Sequence, residues 1–302
     1  MVSAARRTPR RFTAARRKFG LSRSLTVRLK GGLGNQMFQF ACGYAIAETY
    51  GLKLRLEFRG AGGEPTEFSR NYELGAFGIP LEPEEGTHPP SILESFLPVK
   101  LIKEKSFGET LPIPPVLAGS YVLDGYWQSE FFFESHVREI RERFSLRIIP
   151  ESAKELARQI RASANAVVVQ VRRGDYAKDD EVRAVHGLQP VSYFYDAVEL
   201  LGSTRPVDKL FVFSDDPEWC RDTFAWGVPA EVVDLPGQGH GPALDLWLLS
   251  QGKRFVISNS SFGWWGAWLA GVAPENVVAP HQWFADPEIS TSRLVPTGWR
   301  RI

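Results

Sequence analysis

Cysteine and histidine are scarce in this chain. Its 302 residues hold two cysteines, Cys42 and Cys220, too few for a disulfide framework or a four-sulfur metal site. The five histidines stand at 88, 136, 186, 240 and 281, in no His-x-x-x-His or His-x-x-Glu-His spacing, so no metal is expected. No apolar run approaches the ~20 residues of a membrane-spanning helix. No apolar stretch of about 7–15 residues follows the basic N-terminus, as a secretory leader would require. What is there is ordinary for a folded chain: 43% hydrophobic, 24% charged, 12% aromatic, with 27 Gly and 21 Pro. The length permits one large domain or two lobes of roughly 120–150 residues.

Charge is unevenly spread. Residues 1–28 carry nine Lys or Arg and no acid, leaving 27 bases against 35 acids in the rest, so a formal charge of +1 conceals a basic tail on an acidic body. The tail has the composition of a solvated extension. It also has the charge for peripheral contact with an anionic membrane. Nucleic acid is not an expected partner, because the body is acidic and no aromatic–basic interleaving is present. A cytoplasmic location is expected, with the tail available to the inner membrane face.

Residues 25–30 read as a strand and 53–58 as a second, separated by GGLGNQ and a helix beginning in MFQFACGYAIAETYG, with Gly51 as its C-cap. Strand, glycine-rich turn, helix, strand opens an α/β domain with a parallel sheet. Residues 60–118, rich in Gly, Pro and Glu, read as long loops with one short helix. A strand ends in 121–130, and a helix is expected from there to about 144, then another over 151–163. From 166 strands and helices alternate. The strands are AVVVQVR, KLFVFS, VVDL, FVIS and a last one at NVVAP. The helices fall at 191–201, 217–225, 242–252 and SFGWWGAWLAG. The predicted organisation is a basic extension over 1–24, an N-terminal lobe over 25–150 and a C-terminal lobe over 151–302, with the boundary in 145–165.

Four segments carry chemistry. Gly31, Gly32 and Gly34 between a strand and a helix allow close backbone approach to an anion, and Asn35 and Gln36 add amide groups. A plain turn with Asn35 as N-cap explains the same residues. The pattern is neither GxGxxG nor a Walker loop. Arg172 and Arg173, with Asp175, leave the end of a buried strand, where open α/β sheets bind ligands, and suit a diphosphate. Asp175 is placed to orient one guanidinium; a surface Arg–Asp pair is the plainer reading. Asp215 and Asp216 end another strand, one capping the helix that Pro217 starts and the other free to face a cleft. Asn259, Ser260 and Ser261 precede a helix and offer hydroxyls and N–H groups to phosphate. Phe262, Trp264, Trp265 and Trp268 recur at helical spacing and are expected in the core.

Together, GGLGNQMFQFA, VRRGDY, FVFSDDPEWC and DLWLLS…FVISNSSFGWWGAWL resemble the motifs of the α-1,2-fucosyltransferases, glycosyltransferase family 11. The resemblance implies an α/β, GT-B-like architecture of two Rossmann-like lobes with a cleft between them. It implies an inverting, metal-independent transfer of L-fucose from GDP-β-L-fucose to a galactoside hydroxyl of a glycan, with no cofactor beyond the donor substrate. Arg172 and Arg173 would then stabilise the leaving diphosphate. Gly32, Gly34, Asn35, Gln36, Gln170, Asn259, Ser260 and Ser261 would line the donor site, and Asp215, Asp216 and Asp245 would contact nucleotide or acceptor. Asp175 is the favoured base, or else it only orients an Arg. Gln170 stands where the family usually has His; it can donate a hydrogen bond but cannot titrate. Gly252 and Arg254 stand where Cys and His are common. Two other readings keep the scaffold: transfer from another GDP- or UDP-sugar, and non-enzymatic binding of a glycan or nucleotide.

Overall fold

The computed structural model describes residues 23–58, 71–81, 99–105, 119–234 and 241–302, Asp175 by its backbone alone. The basic extension and most of 60–118 lie outside the described residues. Strand β1 (Ser24–Leu29) leads through Gly31, whose φ of +76° is a glycine conformation, into α1 (Leu33–Tyr50). The helix N-cap is Gly32, not Asn35, and Gly51 closes it in the left-handed conformation with φ 63°. Almost every residue from Leu33 to Ala47 is buried, so α1 is covered on all sides rather than along the single face that its spacing suggests.

The first sheet holds β1, β2 (Lys53–Phe58), β3 (Val99–Lys103) and β4 (Ser120–Asp124) in the order β2-β1-β4-β3, all parallel. Strand β3 is a correction to the looped reading of 60–118. Its VKLIK is mostly exposed, and the lysines are those of an edge strand, so no buried alternation announces it. After β4 the expected long helix is broken into 3₁₀ turns at Glu130–Phe132 and Glu134–His136 before α2 (Val137–Arg143). Helix α3 (Glu151–Ala162) follows, within the region read as the lobe boundary.

The second sheet is built from β5 (Val167–Val171), β6 (Leu210–Ser214), β7 (Ala230–Val233), β8 (Phe255–Ile257), β9 (Val277–Ala279) and β10 (Arg300–Arg301). Their order is β10-β9-β8-β5-β6-β7, again parallel throughout. Strand β10 lies beyond the one read as last. Helices α4 (Gly174–Lys178) and α5 (Asp180–His186), which the sequence reading omitted, and α6 (Val191–Gly202) join β5 to β6. Then come α7 (Pro217–Thr223), α8 (Pro242–Leu249) and α9 (Ser261–Ala270). Two parallel sheets with crossover helices make the two-lobed α/β fold expected.

Helix α9 ties the two halves together. Trp264 and Trp265 are fully buried and Trp268 nearly so. Trp264 and Trp265 pack on Phe38 of α1 at ring distances of 4.5 and 4.9 Å, and Trp265 stacks on Phe133 at 5.5 Å. One apolar cluster therefore runs from β1 through α1 and α9 to β8. At the start of both helices a Cβ on Gly34 would stand 2.6 Å from the Ser261 carbonyl carbon and 2.8 Å from Phe262 N. The Trp265 indole N–H donates to Gly34 O at 3.0 Å. Gly34→Ala should therefore push backbone against backbone and cost about 1–3 kcal/mol in denaturant unfolding. Gly227→Ala, where a Cβ meets nothing within 4 Å, is the control and should leave the midpoint near wild type.

Candidate active site

Strand β5 is buried along its whole length and releases two arginines at its carboxyl end. Arg172 N–H donates to Ser258 Oγ at 2.9 Å, and that hydroxyl in turn donates to Gln170 O at 3.0 Å. Ser258 thus pins the end of β5 to the end of β8. The Arg172 guanidinium pairs with Asp215 at 2.7 Å and lies over the Tyr176 ring at 5.3 Å. Arg173 pairs with Asp216 at 3.4 Å and stacks on Trp219 at 3.6 Å, a cation–π contact. Its backbone N–H donates to Asp215 Oδ1 at 2.8 Å. Gly174 leaves room for this approach, since a Cβ there would strike the Asp215 carboxylate.

The two acids divide their work. Asp216 caps α7, accepting the Trp219 N–H at 3.3 Å, as anticipated for one of the pair. Asp215 holds Arg172 and stays partly exposed. Asp215 and Asp216, at the end of β6, thus orient the two guanidiniums. Asp175 is the second residue of α4. The arginine side chains remain about one-fifth exposed, so donor groups still face outward.

Several amides read as ligand groups are spent inside the protein. Gln36 is fully buried; its Nε2 donates to Gly31 O and Asn71 O, both at 2.8 Å, and its Oε1 accepts the Glu73 N–H. It fastens α1 to the 71–73 segment and cannot line a pocket as placed. Asn259 is also buried, its Nδ2 donating to His186 O at 2.7 Å and Trp283 O at 3.1 Å. Gln170 is 4% exposed, with its Oε1 accepting the Ser258 N–H beneath Gly263. Gln36 and Asn259 are struts. Ser260 is the buried N-cap of α9 and makes no side-chain cap bond, while Ser261, the first helical residue, is half-buried. Gly32 accepts the first N–H bonds of α1, and Gly34 is the interhelical contact already described. Asn35 is half-buried, with Oδ1 accepting from Gln128 Nε2 at 2.7 Å. Asp245 lies exposed in the first turn of α8, where the helix dipole favours an acid.

Ser258, Tyr176 and Trp219 were missed. The signals were present: Tyr176 lies four residues beyond Arg172, and Trp219 three beyond the capping Asp216. Gly252 and Arg254 lie at the other end of the second sheet. A Cβ on Gly252 would meet Val168 at 2.5 Å. Arg254 is 1% exposed and donates to the carbonyls of Asn165, Leu201, Arg205 and Pro206. It closes the carboxyl end of α6; burial, with Arg205 and Arg300 near by, lowers its pKa from the ordinary Arg value. Among the described residues no three His, Cys, Asp or Glu side chains group as a metal site, and no helix is long and apolar enough to cross a membrane.

The arrangement offers an anion two oriented guanidiniums beside the start of a helix. Residues 115–302 match glycosyl transferase family 11. The chain is 33% identical over 298 residues to an α-1,2-colitosyltransferase of Escherichia coli, covering 92% of this chain and 98% of that one. The O-antigen biosynthesis glycosyltransferase WbnK of Escherichia coli is 28% identical over 306 residues, with coverage of 90% and 98%. The galactoside 2-α-L-fucosyltransferase SEC1 of Bos taurus is 29% identical over 252 residues, 82% of this chain and 64% of that one. With the family's motifs placed at the carboxyl ends of both sheets, this chain belongs to glycosyl transferase family 11, is homologous to the α-1,2-fucosyltransferases, and is a glycosyltransferase.

Proposed function

We propose that the chain transfers L-fucose from GDP-β-L-fucose to a galactoside hydroxyl, forming an α-1,2 linkage with inversion. The observation that carries this reading is the Arg172–Arg173 pair, each guanidinium held by its own carboxylate and against its own ring. Transfer breaks the bond from the sugar's anomeric carbon to a phosphate oxygen, forms one to the acceptor oxygen, releases that hydroxyl's proton to water, and leaves negative charge on GDP. Fixed cations meet that charge without reorganising, which is where electrostatic catalysis gains most. Asp215 and Asp216 offset part of the positive charge; they keep the arginines extended for a diphosphate while moderating how tightly spent GDP is held. The α9 N-terminus adds dipolar neutralisation.

A colitosyl donor is the second reading, favoured by the 33% identity with the Escherichia coli colitosyltransferase along almost its whole length. Side-by-side kcat/KM values for GDP-fucose and GDP-colitose with a panel of β-galactosides decide between them. A protein that turns over neither donor would overturn both.

Two outcomes follow from the arginine pair. Arg172→Ala removes a charge-assisted contact and should lower donor kcat/KM about ten- to a hundredfold while unfolding stays cooperative. Wild-type turnover in that variant would remove Arg172 from the donor site. Transfer should also persist in excess EDTA, because the guanidiniums take the role that a divalent cation plays elsewhere. Full, reversible loss on chelation, restored by Mn²⁺, would refute the metal-independent mechanism.

A further inference from the structure

The turn that follows β4 carries costs that its packing alone does not explain. Trp127 has a φ of +54° and is the one non-glycine residue with positive φ among the described residues. For a bulky side chain that is a strained conformation, of the kind concentrated at functional sites. It is 1% exposed, and its indole N–H is buried without a hydrogen-bond partner. The surroundings hold the strain in place. Glu104 Oε2 accepts the N–H groups of both Tyr126 and Trp127, at 2.6 and 3.2 Å. Trp127 O accepts the Ser129 N–H at 2.8 Å, and Ser129 Oγ donates to Arg293 O at 2.6 Å.

The turn aims Gln128 at the start of α1. Its Nε2 donates to Asn35 Oδ1 at 2.7 Å, joining two half-buried amides from separate strand ends. Gln128 Oε1 and Asn35 Nδ2 have no partner among the described residues. Asn35 follows Gly34, which touches Ser261, and Ser258 three residues earlier holds Arg172. The amide pair therefore lies on the first-sheet side of the junction whose second-sheet side carries the arginines.

We propose that Gln128, paired with Asn35, is a specificity-determining residue that binds a hydroxyl of a neutral sugar acceptor. A sugar hydroxyl both donates and accepts, and the pair leaves one acceptor and one donor for it. Neither amide is charged. Near by, Arg28 pairs with Glu57 and Asp124, Lys30 pairs with Asp124 and lies over the Tyr126 ring at 4.9 Å, and Glu104 is an acid held by the turn's own N–H groups. Nothing in this patch favours an acidic sugar. The inference rests on the glycosyl-transfer reading above.

The test uses the full chain, the GDP-sugar donor that the wild type turns over, and methyl β-galactoside with its monodeoxy analogues. Gln128→Met keeps length and removes both polar atoms. It should raise acceptor KM about three- to tenfold, the effect of one or two neutral hydrogen bonds, and leave the Kd for GDP within about twofold. For one monodeoxy analogue the wild-type penalty should disappear in the variant, a non-additivity that a purely structural residue would not produce. If Gln128→Met unfolds, Gln128→Ala, which also removes both polar atoms, carries the test with the same expectation. Unchanged acceptor KM, or a rise in the Kd for GDP instead, would overturn the assignment. A wild type that transfers no sugar would instead overturn the reading beneath it.

Discussion

The close approach of α1 and α9 at Gly34 is the constraint on which the rest of the structure depends. Each helix leaves the carboxyl end of a strand in a different sheet. With no side chain at position 34, the two first turns meet backbone to backbone, and the Trp265 indole bonds across the gap. Behind that contact Phe38, Phe133, Trp264 and Trp265 pack ring on ring, each such pair adding about 0.5–1.5 kcal/mol beyond its area. Separating the helices would expose fully buried indoles. The junction is therefore a fixed point, and groups beyond the strand ends of both sheets inherit a defined separation from it.

The same logic governs the arginines. Two guanidiniums leaving adjacent positions of one strand would repel and wander if left alone. Asp215, Asp216, Tyr176 and Trp219 prevent both, at the cost of charge that a diphosphate would otherwise find unopposed. The balance favours geometry over raw attraction. In the proposed reaction substrate and product would carry the same diphosphate, and a group that binds both equally well accelerates nothing.

Strands and helices with strong patterns were legible in the sequence. The β-branched run of β5, the Gly51 cap, the Asp216–Pro217 helix start and the tryptophans of α9 all occupy the roles their chemistry suggests. Polar residues near glycine turns were not. Gln36 and Asn259 have the groups of a phosphate site, yet their partners are inside the fold, at Asn71 and at His186 with Trp283. Local sequence shows what a side chain offers but not which distant backbone will take it. Strand β3 was missed because an exposed edge needs no hydrophobic alternation, and α4 and α5 because short helices lack a full amphipathic repeat.

The departures from the family pattern illustrate the point at the level of substrate choice. Gly252 and Arg254 precede the amino end of β8, and Arg254 is consumed by the carbonyls that end α6 and its neighbours. Gln170 is enclosed beneath α9. Neither Gly252 nor Arg254, as placed, presents a polar group beyond the carboxyl ends where a donor sugar would lie. A substitution inside a diagnostic motif is therefore no measure of a changed substrate when the residue faces inward. Discrimination between sugars that differ by one hydroxyl needs a polar group left unsatisfied when that hydroxyl is missing. Such groups have to be sought among half-exposed side chains at the strand ends, however plain the motif that carries them.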